Sequence, residues 1–138
     1  MKPVIPHFLI CPRITVTHAA PDNPYTLHDV NYRLDFGADR EFPIVEPELW
    51  AYLRAFNGSG VRQYSIRMEW LDGPNGAEEI GVYALPPVEF VDPSQVICRA
   101  WKLAYVRFPG EGRYLFSLCI GRKYRLLASE MLEVWRSA

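Results

Sequence analysis

The residues in this chain that could do chemistry are few and scattered. His18, Asp22, His28 and Asp29 are the one grouping that mixes imidazole with carboxylate. Such a set can relay protons or ligate a divalent cation, because both tasks need lone pairs converging on one point. His28 and Asp29 sit in a stretch that alternates like a strand, however, and adjacent strand residues point to opposite faces. They cannot close on one metal without a kink. No Ser occupies a Gly-x-Ser-x-Gly elbow, and no glycine-rich loop follows a strand and opens a helix, so the hydrolase and nucleotide motifs are absent. Gly110-x-Gly112 reads as a turn. Cys11 lies beside Pro12, with nothing in the pattern around it that would stabilise a thiolate. The expectation is a non-catalytic protein with no metal and no cofactor.

Aromatic and basic residues are the remaining candidates. Four Trp and eight Tyr could stack on sugars or bases. Trp70 alternates in phase with Tyr64, Ile66 and Met68, and Trp101 with Leu103 and Tyr105, which makes both core residues. Trp50 and Tyr52 share a face with Arg54, and Trp135 lies near the carboxyl end. Those positions, with the basic Arg122, Lys123 and Arg125, form the expected interaction surface.

Charge is unevenly distributed. Residues 1–94 carry seven Lys/Arg against thirteen Asp/Glu, and residues 95–138 carry eight against three. The two halves can neutralise each other within one fold or between identical subunits. No basic run exceeds Arg122-Lys123 with Arg125 beside it, which disfavours a nucleic-acid partner. At 138 residues and 49% hydrophobic, the chain fits one domain spanning 1–138. No apolar run approaches the ~20 residues of a membrane-spanning helix, and Pro3 and Pro6 break the amino-terminal apolar patch, so a cytoplasmic protein is expected. Cys11, Cys98 and Cys119 then read as reduced, buried thiols, with a Cys98–Cys119 bridge conceivable only across a core.

These side chains must be positioned by strands. Alternation marks His7 to Thr17, Tyr25 to Phe36, Tyr64 to Trp70, and Ile80 to Ala84, separated by Pro-, Gly- and Asn-rich turns. Val96 to Phe108 is long for one strand and its alternation changes phase, as a bulge or a change of sheet requires. The clearest element follows a Pro-Gly-Glu-Gly corner, where Tyr114, Phe116, Leu118 and Ile120 share one face until Gly121. It reads as a central strand, with Tyr114 capping the corner, Phe116 filling the core and Cys119 on the opposite face. A last strand begins near Tyr124. Glu46 to Phe56 fits a helix through Leu49, Leu53 and Phe56, but also a strand through Trp50, Tyr52 and Phe56; the strong strand after Asn57-Gly58 favours a strand. About eight strands with at most one short helix predict an all-β, two-layer antiparallel β-sandwich.

The corner before Tyr114 resembles the late strands of immunoglobulin-like sandwiches, where a Tyr hydroxyl caps backbone at a glycine-containing corner. Phe116 stands where antibody domains place a Cys, so the likeness is to the broad architecture. Ile10-Cys11, Phe42-Pro43, Leu49-Trp50-Ala51-Tyr52, Asn57-Gly58-Ser59-Gly60 and Phe108 to Phe116 together resemble an uncharacterised bacterial family of small immunoglobulin-like β-sandwich proteins. That resemblance implies no activity. Without catalytic residues, the expected role is accessory or self-associating, through protein contacts and with a homo-oligomer in view. The alternative is a carbohydrate- or small-ligand-binding module using exposed aromatics.

Overall fold

β-Branched and aromatic residues in alternation favour extended backbone, and a strand with one apolar face needs a second layer to bury it. The computed structural model describes residues 4–16, 24–28, 30, 33–56, 58–92, 94–121, 123 and 125–136, and His18, Asp22, Asp29 and Arg122 lie outside them. The described residues contain no helix, and therefore none long and apolar enough to cross a membrane. Fourteen strands occur among them. They are β1 (Val4–Cys11), β2 (Arg13–Val16), β3 (Tyr25–His28), β4 (Arg33–Phe36), β5 (Ile44–Glu46), β6 (Leu49–Phe56) and β7 (Gly60–Arg62), followed by β8 (Tyr64–Trp70), β9 (Glu78–Ala84), β10 (Val88–Phe90), β11 (Ile97–Leu103), β12 (Val106–Phe108), β13 (Gly112–Ile120) and β14 (Arg125–Arg136).

Two sheets carry the core. One has the order β1-β6-β11 and the other β4-β14-β13-β8-β9, with β4 parallel to β14 and every other pairing antiparallel. Leu49, Leu53 and Ile97 from the first sheet join Tyr64, Ile66, Met68, Tyr114, Phe116 and Leu118 from the second in one buried cluster. Along one side of this core β1 lies against β14. Two-strand ladders, β10-β7, β12-β5 and β2-β3, complete the structure.

The expected eight strands become fourteen, for local reasons. His7 to Thr17 divides at Pro12, which has no N–H to continue the ladder; β1 stays in the three-stranded sheet while β2 turns to pair with β3. Tyr25 to Phe36 likewise serves two sheets as β3 and β4. Val96 to Phe108 does break, but not at the phase change between Ala100 and Trp101, which β11 crosses in register; it breaks between β11 and β12, at a turn where Tyr105 has a φ of 57°. Tyr105 is therefore 72% exposed and not a core residue. The ambiguous stretch after Glu46 is the strand β6, paired on both edges.

The Gly110 corner is as the sequence predicts. Tyr114, Phe116 and Leu118 are fully buried on β13, between β14 and β8. The Tyr114 hydroxyl donates to the Gly110 carbonyl at 2.6 Å and accepts from the Gly110 N–H at 3.2 Å. Its ring stacks on Trp70 at 6.0 Å and meets Phe108 edge-on at 5.0 Å. Burial pushes the phenol up to about 12, so it keeps its proton across the working range. A Cβ on Gly110 would stand 2.7 Å from the Trp70 ring, so only glycine allows this approach. Cys98 and Cys119 lie on the outer faces of different sheets, which excludes the bridge between them, and all three cysteines are free and buried.

Phe116→Ala should cost ~3–5 kcal/mol of unfolding free energy by leaving a cavity. Denaturant unfolding measures it; a loss below about 1 kcal/mol, within the scatter of surface substitutions, would place Phe116 on the wrong face.

Candidate functional site

The expected surface residues fall in three places. Trp50, Tyr52 and Arg54 come together on the outer face of the three-stranded sheet, since alternate positions of β6 point one way. Their cross-strand neighbours are Cys11 and Lys102 at Trp50, Leu9 and Ala100 at Tyr52, and His7 and Cys98 at Arg54. The β2-β3 hairpin covers part of this face, and Tyr52 is only 4% exposed. Its ring meets Tyr25 edge-on at 6.2 Å, and its hydroxyl donates to Cys98 Sγ at 3.5 Å. Trp50 stays half-buried, with its indole N–H donating to Glu48 Oε1 at 2.9 Å. Lys123 and Arg125 are exposed at the β13-β14 turn. Trp135 lies roughly 30 Å further along β14, under the Arg33 guanidinium at 5.6 Å.

Of the imidazole–carboxylate grouping only His28 is among the described residues. His28 faces Thr15 Oγ1 at 2.8 Å and Arg13 at 3.3 Å, both on the neighbouring strand. No group of three His, Cys, Asp or Glu among the described residues is placed to hold a metal ion. Burial pushes the Cys11 thiol up to about 11 and raises Cys119, the opposite of what a nucleophilic thiolate needs.

The cations divide by their partners. Arg33 pairs with Asp35, Arg40 with Glu46, Arg67 with Glu79, and Arg113 with Asp72. Arg113 grips Asp72 with two side-chain nitrogens and its own backbone N–H, which holds that carboxyl down at about 2. Arg54, Lys102, Arg107, Lys123 and Arg125 form no ion pair among the described residues. Those five keep their charge available to an anionic partner.

A groove that no sequence motif signals opens where the free edges of β9 and β11 approach. It has a volume of about 620 Å³ and is bounded by 82–86 on one side and 100–104 on the other, with Trp50 at its wall. Tyr83 and Trp101 come from opposite sheets, pack on the core and are half-buried. Lys102 supplies the charge. Its two sides are nearly twenty residues apart in sequence, so only the sheet order brings them together.

No known family profile matches the chain, and no curated protein sequence does. Among solved structures, the Pseudomonas fluorescens alkylpurine DNA glycosylase AlkC, bound to DNA containing an abasic-site analogue, is similar with a TM-score of 0.56 and 11% identity. The match covers 96% of this chain and 30% of that one, so the chain spans under a third of its neighbour's length. At such identity the likeness shows the fold. It corrects two expectations drawn from the sequence. A role resting on protein contacts or self-association, with carbohydrate binding as the alternative, gives way because this fold occurs inside a protein bound to DNA. The expectation that disfavoured nucleic acid for want of a basic run is overturned likewise, since the neighbour with this fold is bound to DNA.

Asp72 should titrate with a midpoint near 2 in the folded protein, and Arg113→Gln should move it back towards 3.8. Because the folded value is depressed, the pair's contribution to stability is present above 3.8 and is lost as pH falls through about 2. Carboxyl NMR checks both; an Asp72 midpoint of 3.8 in the parent protein would mean that the pair does not hold in solution.

Proposed function

We propose that this chain is a nucleic-acid-binding module, a binder and not a catalyst, built on an immunoglobulin-like β-sandwich. The observation that carries the reading is the likeness in fold, over 96% of the chain, to a DNA-bound glycosylase of which it matches 30%. A segment of that size inside a larger enzyme fits a module that holds substrate while other parts of the protein do chemistry. The surface agrees. Arg54, Lys102, Lys123 and Arg125 stand on strands or turns without a carboxylate partner among the described residues, and phosphate contacts need such available cations.

Three observations support the immunoglobulin-like part of the proposal. The two larger sheets share one core, a parallel edge strand lies beside β14, and a tyrosine caps the corner before β13. Kinship with the uncharacterised bacterial family belongs to the same proposal. Its Phe42-Pro43 and Phe108 to Phe116 motifs supply core residues here, which suits a family defined by architecture.

Fluorescence anisotropy with labelled DNA tests the function. Binding should weaken as salt rises, with a log–log slope of about −0.9 for each duplex phosphate neutralised. Replacing Lys123 and Arg125 with Gln should flatten that slope by up to about 2. Absence of binding to duplex and single-stranded DNA at low salt would overturn the reading.

A further inference from the structure

We infer that the groove between the free edges of β9 and β11 seats unpaired nucleobases, making single-stranded nucleic acid the preferred form of the ligand. This rests on the nucleic-acid reading above and adds where and in which form the ligand is held. Trp50, Tyr83 and Trp101 present ring surface around one groove, and Lys102 on its wall forms no ion pair among the described residues. Flat apolar rings beside an available cation are what a base and its phosphate require together. The groove's volume of about 620 Å³ falls within the ~300–1,000 Å³ of clefts that enclose small ligands. Bases inside a duplex are already stacked on each other and do not offer their faces, so the unpaired form is selected.

Tyr105 is the independent sign. It follows the groove-lining Ala104, and its φ of 57° is a left-handed conformation that a bulky residue rarely adopts. The residue is 72% exposed, so core packing does not compensate for the strained backbone. Glycine would suit the turn better. A strained, solvent-facing aromatic one residue beyond the lining of an aromatic groove is what a stacking site can use and what folding alone would not select. Glu48 accepts from the Trp50 indole N–H and so fixes that ring's orientation.

The test uses the whole chain with a labelled short oligothymidylate and a blunt duplex. The single strand should bind more tightly than the duplex and quench tryptophan fluorescence. Tyr105→Gly should keep or raise the melting temperature while weakening single-strand binding roughly 5- to 150-fold, the range expected for one lost base stack. Lys102→Gln, on an exposed position, should reduce the salt slope by about 0.7. Binding that is unchanged in both variants, with no quenching, would overturn the groove and leave the nucleic-acid reading standing. Failure of the parent protein to bind either nucleic acid would overturn that reading and the groove with it.

Discussion

The constraint on which the structure depends is the seating of Tyr114. Tyr114 is fully buried, and burying a phenol with its hydroxyl unpaired costs more than a paired one contributes. Gly110 meets that need from both its N–H and its carbonyl, which closes the chain into a tight corner. The ring then fixes three further elements at once. Trp70 stacks on it from the end of β8, Phe108 meets it from β12, and Gly110 is held to a residue without Cβ by the Trp70 ring. Next to this corner, Arg113 reaches back to Asp72, so the same turn is tied by packing inside and by an ion pair outside.

That arrangement is also where the sequence was most legible. Period two across Tyr114, Phe116 and Leu118 reports a face directly, and a glycine corner before a tyrosine has few other meanings. Tyr52 shows the limit of the same method. Its alternation with Trp50 and Arg54 correctly assigns a shared face, but periodicity does not reveal whether that face meets solvent or another layer. The β2-β3 hairpin decides it, and Tyr25 lies far from Tyr52 in the chain. The three-residue strands β5, β7, β10 and β12 are similarly silent, since each is extended because of a partner brought to it by the rest of the fold. Tyr105 follows from the same cause. Its phase with Trp101 and Leu103 is that of a core residue, and the strand simply ends before reaching it.

The charge asymmetry between the two parts of the chain has a comparable resolution. Part of it cancels within the fold, since Arg113 from the basic carboxyl-terminal region meets Asp72 from the acidic region. What remains is a set of cations on edges and turns, including Lys102, Lys123 and Arg125. A single basic run would have been visible in the sequence. Which cations are left without a carboxylate partner is not, because pairing across strands is a property of register.

The groove marks the place where both free edges lose their protection. An exposed strand edge invites unwanted pairing, and charged residues are a common defence. β9 begins with Glu78 and Glu79, and β11 carries Arg99 near its start. Towards their far ends the edges change character: 82–86 is Val-Tyr-Ala-Leu-Pro, and 100–104 is Ala-Trp-Lys-Leu-Ala, apolar but for one lysine. Pro86 limits further pairing there, so the exposed apolar surface is kept from acting as a strand template. Aromatic surface left open beside an available cation suits a ligand with a flat face and a negative charge, and Lys102 supplies the counter-charge.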